Sequence, residues 1–226
     1  MARKKKSIFV YGASGHAKVV IDIIEKQALY TIAFLADDDV GLKEKEVCQY
    51  KVIGGASELL ESCKALEIES GVVAIGNNTA RQRIADWLAA CGFGLVTIVH
   101  PSAQIGSGVV ISNGTVVMPG AVINSDTLVR DNVIINTGAI VEHDCVIGNS
   151  AHIAPGVKLC GGVAVGDGSF LGAGATVIPN IKIGRKVIVG AGATVIHDIP
   201  DGWMVVGTPA KKLERDEDTR DASTRY

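Results

Sequence analysis

The sequence is poor in aromatic residues: Phe, Trp and Tyr make up only 4% of its 226 residues, whereas 47% are hydrophobic. Its core must therefore be aliphatic. No apolar run approaches the length of about 20 residues that a membrane-spanning helix needs. The basic residues 3–6 lead straight into a strand-like segment without an apolar signal region, and we interpret them as a solvated start.

The chain also lacks an excess of charge and any paired cysteine motif. Its formal net charge of −2 argues against a nucleic-acid-binding surface. The cysteines are odd in number and show no metal-binding spacing, as expected in a reducing compartment; they are Cys48, Cys63, Cys91, Cys145 and Cys160. We therefore expect a cytoplasmic protein without membrane insertion.

Residues 103–198 contain an uninterrupted six-residue repeat. From Ile105 to Val195 every sixth residue is Ile, Leu or Val, and three places later fourteen of sixteen slots hold Gly, Asn or Asp. A period of six is neither helical nor that of a long strand; it indicates a very short strand followed by a turn with a left-handed residue. Three such segments close a triangular coil of about 18 residues, and stacked coils form a solenoid.

Residues 1–100 follow a different pattern, in which strand-like segments alternate with amphipathic helices. This alternation predicts a small parallel α/β domain, with strands at Ser7–Tyr11, Thr31–Ala36, Val52–Ile53, Gly71–Ile75 and Leu95–Val99. His100-Pro101 marks the junction, so we expect domains at 1–100 and 101–213. The charged stretch 214–226 is predicted to be a disordered tail.

The first strand runs into a glycine-rich turn, Gly12 to His16, that lacks the G-x-G-x-x-G spacing of a dinucleotide site. Backbone amides at a helix start favour a phosphate, so the turn either holds a pyrophosphate or is only a tight connection. Asp37–Asp39 follows the second strand. It is interpreted either as a contact to the ribose of a nucleotide or as a solvated acidic loop. Gly76 to Asn78 closes another strand at the same carboxyl edge, where ligands bind.

His143 occupies an outward turn corner in the middle of the repeat. Gly161 follows 18 residues later, so its backbone is expected about 4.8 Å away, one strand spacing. A histidine beside a backbone N–H suits acyl transfer, because the imidazole can take a proton and the N–H can stabilise an oxyanion. The alternative is that His143 is only a surface residue at a turn corner. His197 lies three coils further along that edge, about 14 Å away, and is expected to be a surface residue.

His152 follows His143 by nine residues and is out of phase with it. In one chain the two imidazoles point to nearly opposite sides, so they can share an acyl donor only across subunits of a threefold oligomer; otherwise His152 is a polar interface residue. Ala173-Gly174 and Ala191-Gly192 align one coil apart and form an edge that could admit a pantetheine arm. A zinc site needs two histidines close along one edge, which these spacings do not provide, so no metal is expected.

Four segments together, Tyr11–His16, Ala74–Asn78, Glu142–Cys145 and Gly207–Lys211, resemble the sugar O/N-acyltransferases with hexapeptide repeats. Sialic acid O-acetyltransferases and bacterial UDP-4-amino-sugar N-acetyltransferases of the bacillosamine pathway typify this family. The resemblance covers about residues 5–213. It implies an N-terminal α/β Rossmann-like domain followed by an all-β left-handed parallel β-helix.

The resemblance also implies roles for single residues. His143 resembles the general base, and Asp144 takes the position of its acidic partner, commonly Glu in the family, although Asp144 also fills a turn slot where Asp is expected regardless. The positions that resemble acetyl-CoA contacts are His152, Gly161, Ala173 and Ala191. Those that resemble nucleotide-sugar contacts are Gly12, Ser14, Gly15, His16, Asp37, Asp38, Asn77 and Asn78.

We therefore expect an acetyl-CoA-dependent N-acetyltransferase that acts on the 4-amine of a nucleotide-linked amino sugar of the UDP-4-amino-4,6-dideoxy-N-acetylglucosamine type. A homotrimer with inter-subunit active sites, and no metal or nucleic-acid partner, is expected. The alternatives are a sugar O-acetyltransferase of the sialic-acid type and a non-catalytic nucleotide-sugar-binding solenoid.

Overall fold

The structure, a computed structural model, describes residues 5–213; the predicted tail at 214–226 lies outside the described residues. The N-terminal α/β region contains one short 3-10 helix, Val40–Leu42, and nine further elements. In chain order these are β1 (Lys6–Tyr11), α1 (Gly15–Gln27), β2 (Tyr30–Ala36), β3 (Glu46–Val47), β4 (Tyr50–Lys51), α2 (Ala56–Leu66), β5 (Ser70–Val73), α3 (Asn78–Ala90) and β6 (Gly94–Leu95).

A four-stranded parallel sheet in the order β2-β1-β5-β6 forms the centre of this region. Successive side chains of a strand point to opposite faces of a sheet. Ile8 and Val10 therefore pack with α1, while Phe9 and Tyr11 pack with α2 and α3. The carboxyl ends of β1, β2 and β5 meet at one edge, which brings the glycine-rich turn, the Asp37–Asp39 loop and the segment after β5 together.

The rest of the chain is a parallel solenoid of about six coils, built almost entirely from two-residue strands. These strands are β7 (Ile98–Val99), β8 (Gln104–Ile105), β9 (Val110–Ile111), β10 (Val116–Val117), β11 (Val122–Ile123), β12 (Leu128–Val129), β13 (Ile134–Ile135), β14 (Ile140–Val141), β15 (Val146–Ile147), β16 (His152–Ile153), β17 (Lys158–Leu159), β18 (Ala164–Val165), β19 (Phe170–Leu171), β20 (Thr176–Val177), β21 (Lys182–Ile183), β22 (Ile188–Val189), β23 (Thr194–Val195), β24 (Met204–Val206) and β25 (Lys211–Lys212).

Every third strand joins the same sheet, so the solenoid has three faces. We call the sheet that runs from β7 to β24 the first face, the sheet from β8 to β23 the second, and the sheet from β9 to β21 the third. β25 extends the first face in antiparallel pairing with β24. The repeat's aliphatic residues point inward and are buried from Val117 to Val195, whereas Ile105, near the open first coil, is 41% exposed.

Fifteen of the sixteen turn slots adopt the left-handed backbone that the repeat predicts; the exception is Asp198, in the last coil. The fifteen include Ser150 and Lys186, the two exceptions in composition, with φ of 53° and 52°. Each coil closes with backbone hydrogen bonds to the next, for example from Gly162 N to His143 O at 2.9 Å. The predicted α/β region and the left-handed β-helix are both confirmed.

The structure differs from the sequence prediction at three places. The strand predicted at Val52–Ile53 is not part of the four-stranded sheet; Val52 forms an isolated parallel bridge to Leu35 instead. The strand predicted at Leu95–Val99 is divided: β6 pairs with β5 in the α/β sheet, whereas β7 pairs with β10 in the solenoid. The solenoid thus begins at Ile98, which shifts our proposed domain boundary slightly before residue 100. The β3–β4 hairpin was not predicted, because its left-handed turn residues are Cys48 and Gln49 rather than Gly or Asn.

Candidate functional site

His143 and Asp144 form a hydrogen-bonded pair at the corner between the second and third faces. Nδ1 of His143 lies 2.7 Å from a carboxylate oxygen of Asp144, and the two side chains are 62% and 66% exposed. A carboxylate only accepts hydrogen bonds, so Nδ1 carries the proton and Nε2 keeps its lone pair. Asp144 also has φ of 58°; it is therefore both the turn residue and the partner of the imidazole.

Gly161 lies directly beside this imidazole, one coil further along the same corner. A Cβ placed on Gly161 would come within 2.7 Å of Nε2 and 2.6 Å of Cε1 of His143. The Gly161 N–H donates no backbone hydrogen bond within residues 5–213, which leaves it available to an incoming carbonyl oxygen. The arrangement can take a proton at Nε2 and stabilise a negative oxygen next to it.

We expect Asp144→Asn to move the acidic limb of the kcat/KM pH profile to lower pH. The hydrogen bond from His143 to Asp144 raises the pKa of His143 above its usual value, and the negative charges of Asp144 and Glu142 act in the same direction. A general base acts when it is neutral, so a raised pKa places the limb at higher pH and loss of the carboxylate brings it down. A pH–rate profile at low salt measures the shift, since salt screens exposed charges.

Asp126→Asn is the matched control, because Asp126 has the same left-handed turn position one coil earlier, with φ of 60°. It should leave the profile unchanged. Identical acidic limbs for Asp144→Asn and the wild-type enzyme would disprove the pairing of His143 with Asp144 during catalysis.

We expect Gly161→Ala to lower kcat by about 10- to 100-fold, because the added methyl group would displace the His143 ring. The ring is exposed and can move, so the stability against urea should hardly change. Steady-state kinetics and urea unfolding check both points. Wild-type kcat in this variant would show that the ring position is not tuned by the glycine.

His152 lies on the outside of the first face, beneath the α/β region, rather than near His143. It is 8% exposed. Its Nδ1 lies 3.2 Å from the carbonyl of Gly76 and its Nε2 lies 3.0 Å from the side-chain nitrogen of Asn136. Because a carbonyl only accepts, His152 is protonated on Nδ1. Burial, with the charge of Arg81 as a smaller cause, lowers its pKa to about 3, so the ring is neutral.

His16, in the glycine-rich turn, joins this cluster, with its ring centroid 6.5 Å from that of His152. Burial and the charge of Arg81 lower the pKa of His16 to about 4. Gly12 has φ of 114°, and a Cβ there would come within 2.6 Å of the Ala74 carbonyl. Ser14 is the N-cap residue of α1, but its side chain makes no capping hydrogen bond. Among residues 5–213, no atom beyond its own chain neighbours lies within 4 Å of a Cβ placed on Gly15. The helix start is therefore open to a ligand.

Two of the three aspartates after β2, Asp37 and Asp38, form hydrogen bonds that hold the same edge together. Asp37 accepts hydrogen bonds from the backbone N–H groups of Ala13 and Asp39, at 2.7 and 2.9 Å. Asp38 accepts from the hydroxyl of Tyr11 at 2.6 Å. Asp37 thus orders the glycine-rich turn, and both carboxylates lie at the edge predicted for the nucleotide.

Asn77 and Asn78 begin α3 at that edge. The Asn77 side chain caps the helix by accepting from Ala80 N at 2.9 Å. Asn78 donates to the carbonyl oxygens of Gly168 and Ser169, at 3.0 and 3.1 Å, and so also ties α3 to the solenoid. The sequence analysis missed Arg81, whose side chain hydrogen-bonds both to the solenoid and to residues 75–78.

Ala173 and Ala191 lie at the corner between the first and second faces, not at the corner of His143. They stack on successive coils, with Gly192 N donating to Ala173 O at 2.9 Å and Gly174 N to Pro155 O at 2.9 Å. Within one chain the second face separates this small-residue edge from Gly161. The structure thus brings together His143, Asp144 and Gly161, and separately His16, His152 and the nucleotide edge.

Two further properties concern the described part of the chain. Residues 5–213 contain no cluster of three His, Cys, Asp or Glu side chains suited to hold a metal ion. None of the helices described there has the length and apolar character needed to cross a membrane.

Two family models match the chain: residues 7–88 match the PglD N-terminal domain, and residues 162–197 match the bacterial transferase hexapeptide (six repeats). Among curated proteins, the UDP-N-acetylbacillosamine N-acetyltransferase of Bacillus subtilis is 36% identical over 110 residues, which cover 49% of this chain and 50% of that protein. The match therefore spans about half the length of that curated relative.

Solved structures match over nearly the whole chain. Perosamine N-acetyltransferase from Caulobacter crescentus, a variant with one histidine replaced by asparagine in complex with CoA and GDP-perosamine, is 38% identical with a TM-score of 0.88, covering 94% of this chain and 99% of that one. This chain belongs to the sugar O/N-acyltransferase family of hexapeptide-repeat transferases.

A second member of this sugar acyltransferase family gives the same result. The acetyltransferase domain of PglB from Neisseria gonorrhoeae is 37% identical with a TM-score of 0.85, covering 92% of this chain and 100% of that one, and it is also solved with acetyl coenzyme A. The predicted family and the predicted enzyme class, an acetyltransferase, are confirmed.

Proposed function

We propose that this sugar acyltransferase transfers the acetyl group of acetyl-CoA to the 4-amine of a nucleotide-linked amino sugar. The observation that carries the proposal is the arrangement of His143, Asp144 and Gly161, which places an unprotonated Nε2 beside a backbone N–H that donates no backbone hydrogen bond within residues 5–213. The CoA, acetyl-CoA and GDP-perosamine in the solved relatives support both substrates.

In the proposed reaction the sugar nitrogen attacks the thioester carbonyl carbon directly. Nε2 of His143 takes the proton that the amine loses, and the Gly161 N–H stabilises the negative carbonyl oxygen. The C–N bond forms, the C–S bond breaks, and the proton held by the His143 imidazolium passes to the CoA thiolate, which leaves as its thiol and returns the imidazole to its neutral form. Asp144 holds the ring in the correct tautomer and stabilises the imidazolium.

We propose a homotrimer whose active sites lie between subunits, in the cytoplasm. Within one chain the edge of Ala173 and Ala191 and the pair His143–Gly161 lie on opposite edges of the second face. A pantetheine arm that touches both therefore needs the small-residue edge of a neighbouring prism. His152 also points away from His143 within one chain, so both histidines can contact one acetyl-CoA only if they come from neighbouring subunits.

The proposed nucleotide site is the carboxyl edge of the α/β sheet. The open start of α1 at Ser14 and Gly15 offers backbone N–H groups to a pyrophosphate, and Asp37 and Asp38 lie beside it. We propose a UDP-linked substrate of the 4-amino-4,6-dideoxy-N-acetylglucosamine type. A GDP-linked amino sugar is the second candidate, supported by the whole-length likeness to the perosamine enzyme.

A thiol-release assay with acetyl-CoA and a panel of acceptors tests the proposal. UDP- and GDP-linked 4-amino sugars should release CoA thiol, whereas the corresponding 4-hydroxy sugars and free sialic acid should not. Rapid turnover of free sialic acid would instead favour a sugar O-acetyltransferase. Thiol release at background level with every acceptor would favour a non-catalytic binding solenoid.

A further inference from the structure

Arg81, in the first turn of α3, is a buried cation whose hydrogen-bond partners within residues 5–213 are all neutral. It is 1% exposed, and within residues 5–213 no carboxylate forms an ion pair with it. Burying a charge without a countercharge costs free energy. If α3 needed only to dock on the solenoid, an apolar side chain would do so at lower cost.

The guanidinium joins two parts of the chain that sequence separates by many residues. On the solenoid side, Nε donates to the carbonyl of Asn132 at 3.0 Å, and Nη2 donates to the carbonyls of Ser150 and Ala151 at 2.8 and 3.3 Å. These carbonyls belong to two successive coils of the corner between the third and first faces; those of Ser150 and Ala151 come directly before His152.

On the other side the same group holds the segment that follows β5, residues 75–78, which we call the 75–78 loop. Nη1 donates to the carbonyls of Ile75 and Gly76 at 3.1 and 3.0 Å, and Nη2 donates to Oδ1 of Asn78 at 2.9 Å. This loop carries Asn77 and Asn78, two of the proposed nucleotide-sugar contacts.

The carbonyl of Gly76 is the point where these contacts meet. It accepts from Nη1 of Arg81 at 3.0 Å and from Nδ1 of His152 at 3.2 Å, which together use both of its lone pairs. The charge of Arg81 also contributes to holding His16 and His152 neutral. The planar guanidinium of Arg81 thus fixes the position of the 75–78 loop relative to the first face of the solenoid.

We propose that Arg81 is a positioning residue for the nucleotide diphosphate of the acceptor, which it serves by fixing the 75–78 loop against the solenoid. Only a planar fork with several donors in fixed directions can reach both sides at once. This inference rests on the proposed function, since it assumes that the carboxyl edge of the α/β sheet binds the nucleotide.

The test is calorimetric titration of UDP and GDP into the wild-type enzyme and Arg81→Lys, with steady-state KM values for both substrates. Lysine keeps the charge but cannot hold the loop and the corner together. We expect nucleotide affinity to fall about tenfold, the size expected on loss of charge-assisted hydrogen bonds that order a loop. The KM for acetyl-CoA and kcat should stay within about twofold of wild type.

Arg81→Gln is the second variant. In Arg81→Lys the buried ammonium group lacks enough hydrogen-bond partners, which can destabilise the fold; glutamine carries no charge and avoids this cost. This second variant should show the same selective loss. Gln82→Ala is the matched control: the Gln82 side chain also contacts the solenoid, at Ser150, and its other hydrogen bond goes to Asp86 on α3. If Arg81 only docked α3, the control would lose nucleotide affinity equally.

Wild-type nucleotide affinity in either Arg81 variant, or an equal loss for nucleotide and acetyl-CoA, would overturn the positioning role while the proposed function stands. If the wild-type enzyme itself binds neither UDP nor GDP, the nucleotide site is wrong and the inference falls with it.

Discussion

His143→Ala is expected to lower kcat by about 10²- to 10⁴-fold, the contribution of a positioned general base. KM for both substrates should change little, because the proposed task of the imidazole is to remove a proton as the C–N bond forms. The fold should be unaffected, since the side chain is 62% exposed and its hydrogen bond is to the adjacent, similarly exposed Asp144. Initial-rate kinetics by thiol release measure the change.

His197→Ala is the matched control for this variant. His197 is exposed and lies on the same corner of the solenoid, three coils beyond His143. It should keep wild-type kcat, because the carboxylate that follows it, Asp198, accepts a hydrogen bond from the backbone N–H of Lys182 at 2.8 Å. If His143→Ala also keeps wild-type turnover, His143 is not the base.

Leu159→Ala is expected to lower the free energy of unfolding by about 2–5 kcal/mol. Leu159 is 1% exposed and stacks between Val141 and Val177 inside the solenoid. The coils cannot collapse onto the void, because their spacing is set by hydrogen bonds such as Glu142 N to Leu159 O at 3.0 Å. Urea unfolding followed by circular dichroism measures the loss.

Lys158→Ala controls for the backbone position, since Lys158 precedes Leu159 in β17 but points outward and is exposed. Its effect should stay within about 0.5 kcal/mol. A loss below about 1 kcal/mol in Leu159→Ala would mean that the solenoid relaxes around the cavity and that its aliphatic stack is less rigid than the repeat implies.

The repeat made the solenoid predictable because its signal is local and periodic. Six-residue spacing identifies the inward side chains and the left-handed turns, and counting 18 residues places Gly161 beside His143 without any structure. The same counting separates His152 and His197 from that site. Ser150 and Lys186 keep the left-handed turn conformation at their positions in the repeat although neither is Gly, Asn or Asp.

The contacts between the two parts of the chain could not be read in this way. Arg81 looks like an ordinary helix residue until the fold brings Asn132 and Ser150 to it from more than fifty positions away. One signal was available for His152. It interrupts an outward apolar column formed by Val116, Ile134 and Phe170, which indicates that the first face is covered.

The identity of the product tests the central claim most directly. The enzyme should be incubated with acetyl-CoA and a UDP- or GDP-linked 4-amino sugar, and the purified product examined by NMR. We predict an acetyl group in amide linkage to the nitrogen at C4, with the nucleotide diphosphate still attached, and almost none of it with His143→Ala. An acetyl ester on a sugar hydroxyl, or an unchanged amino sugar, would contradict the proposed function.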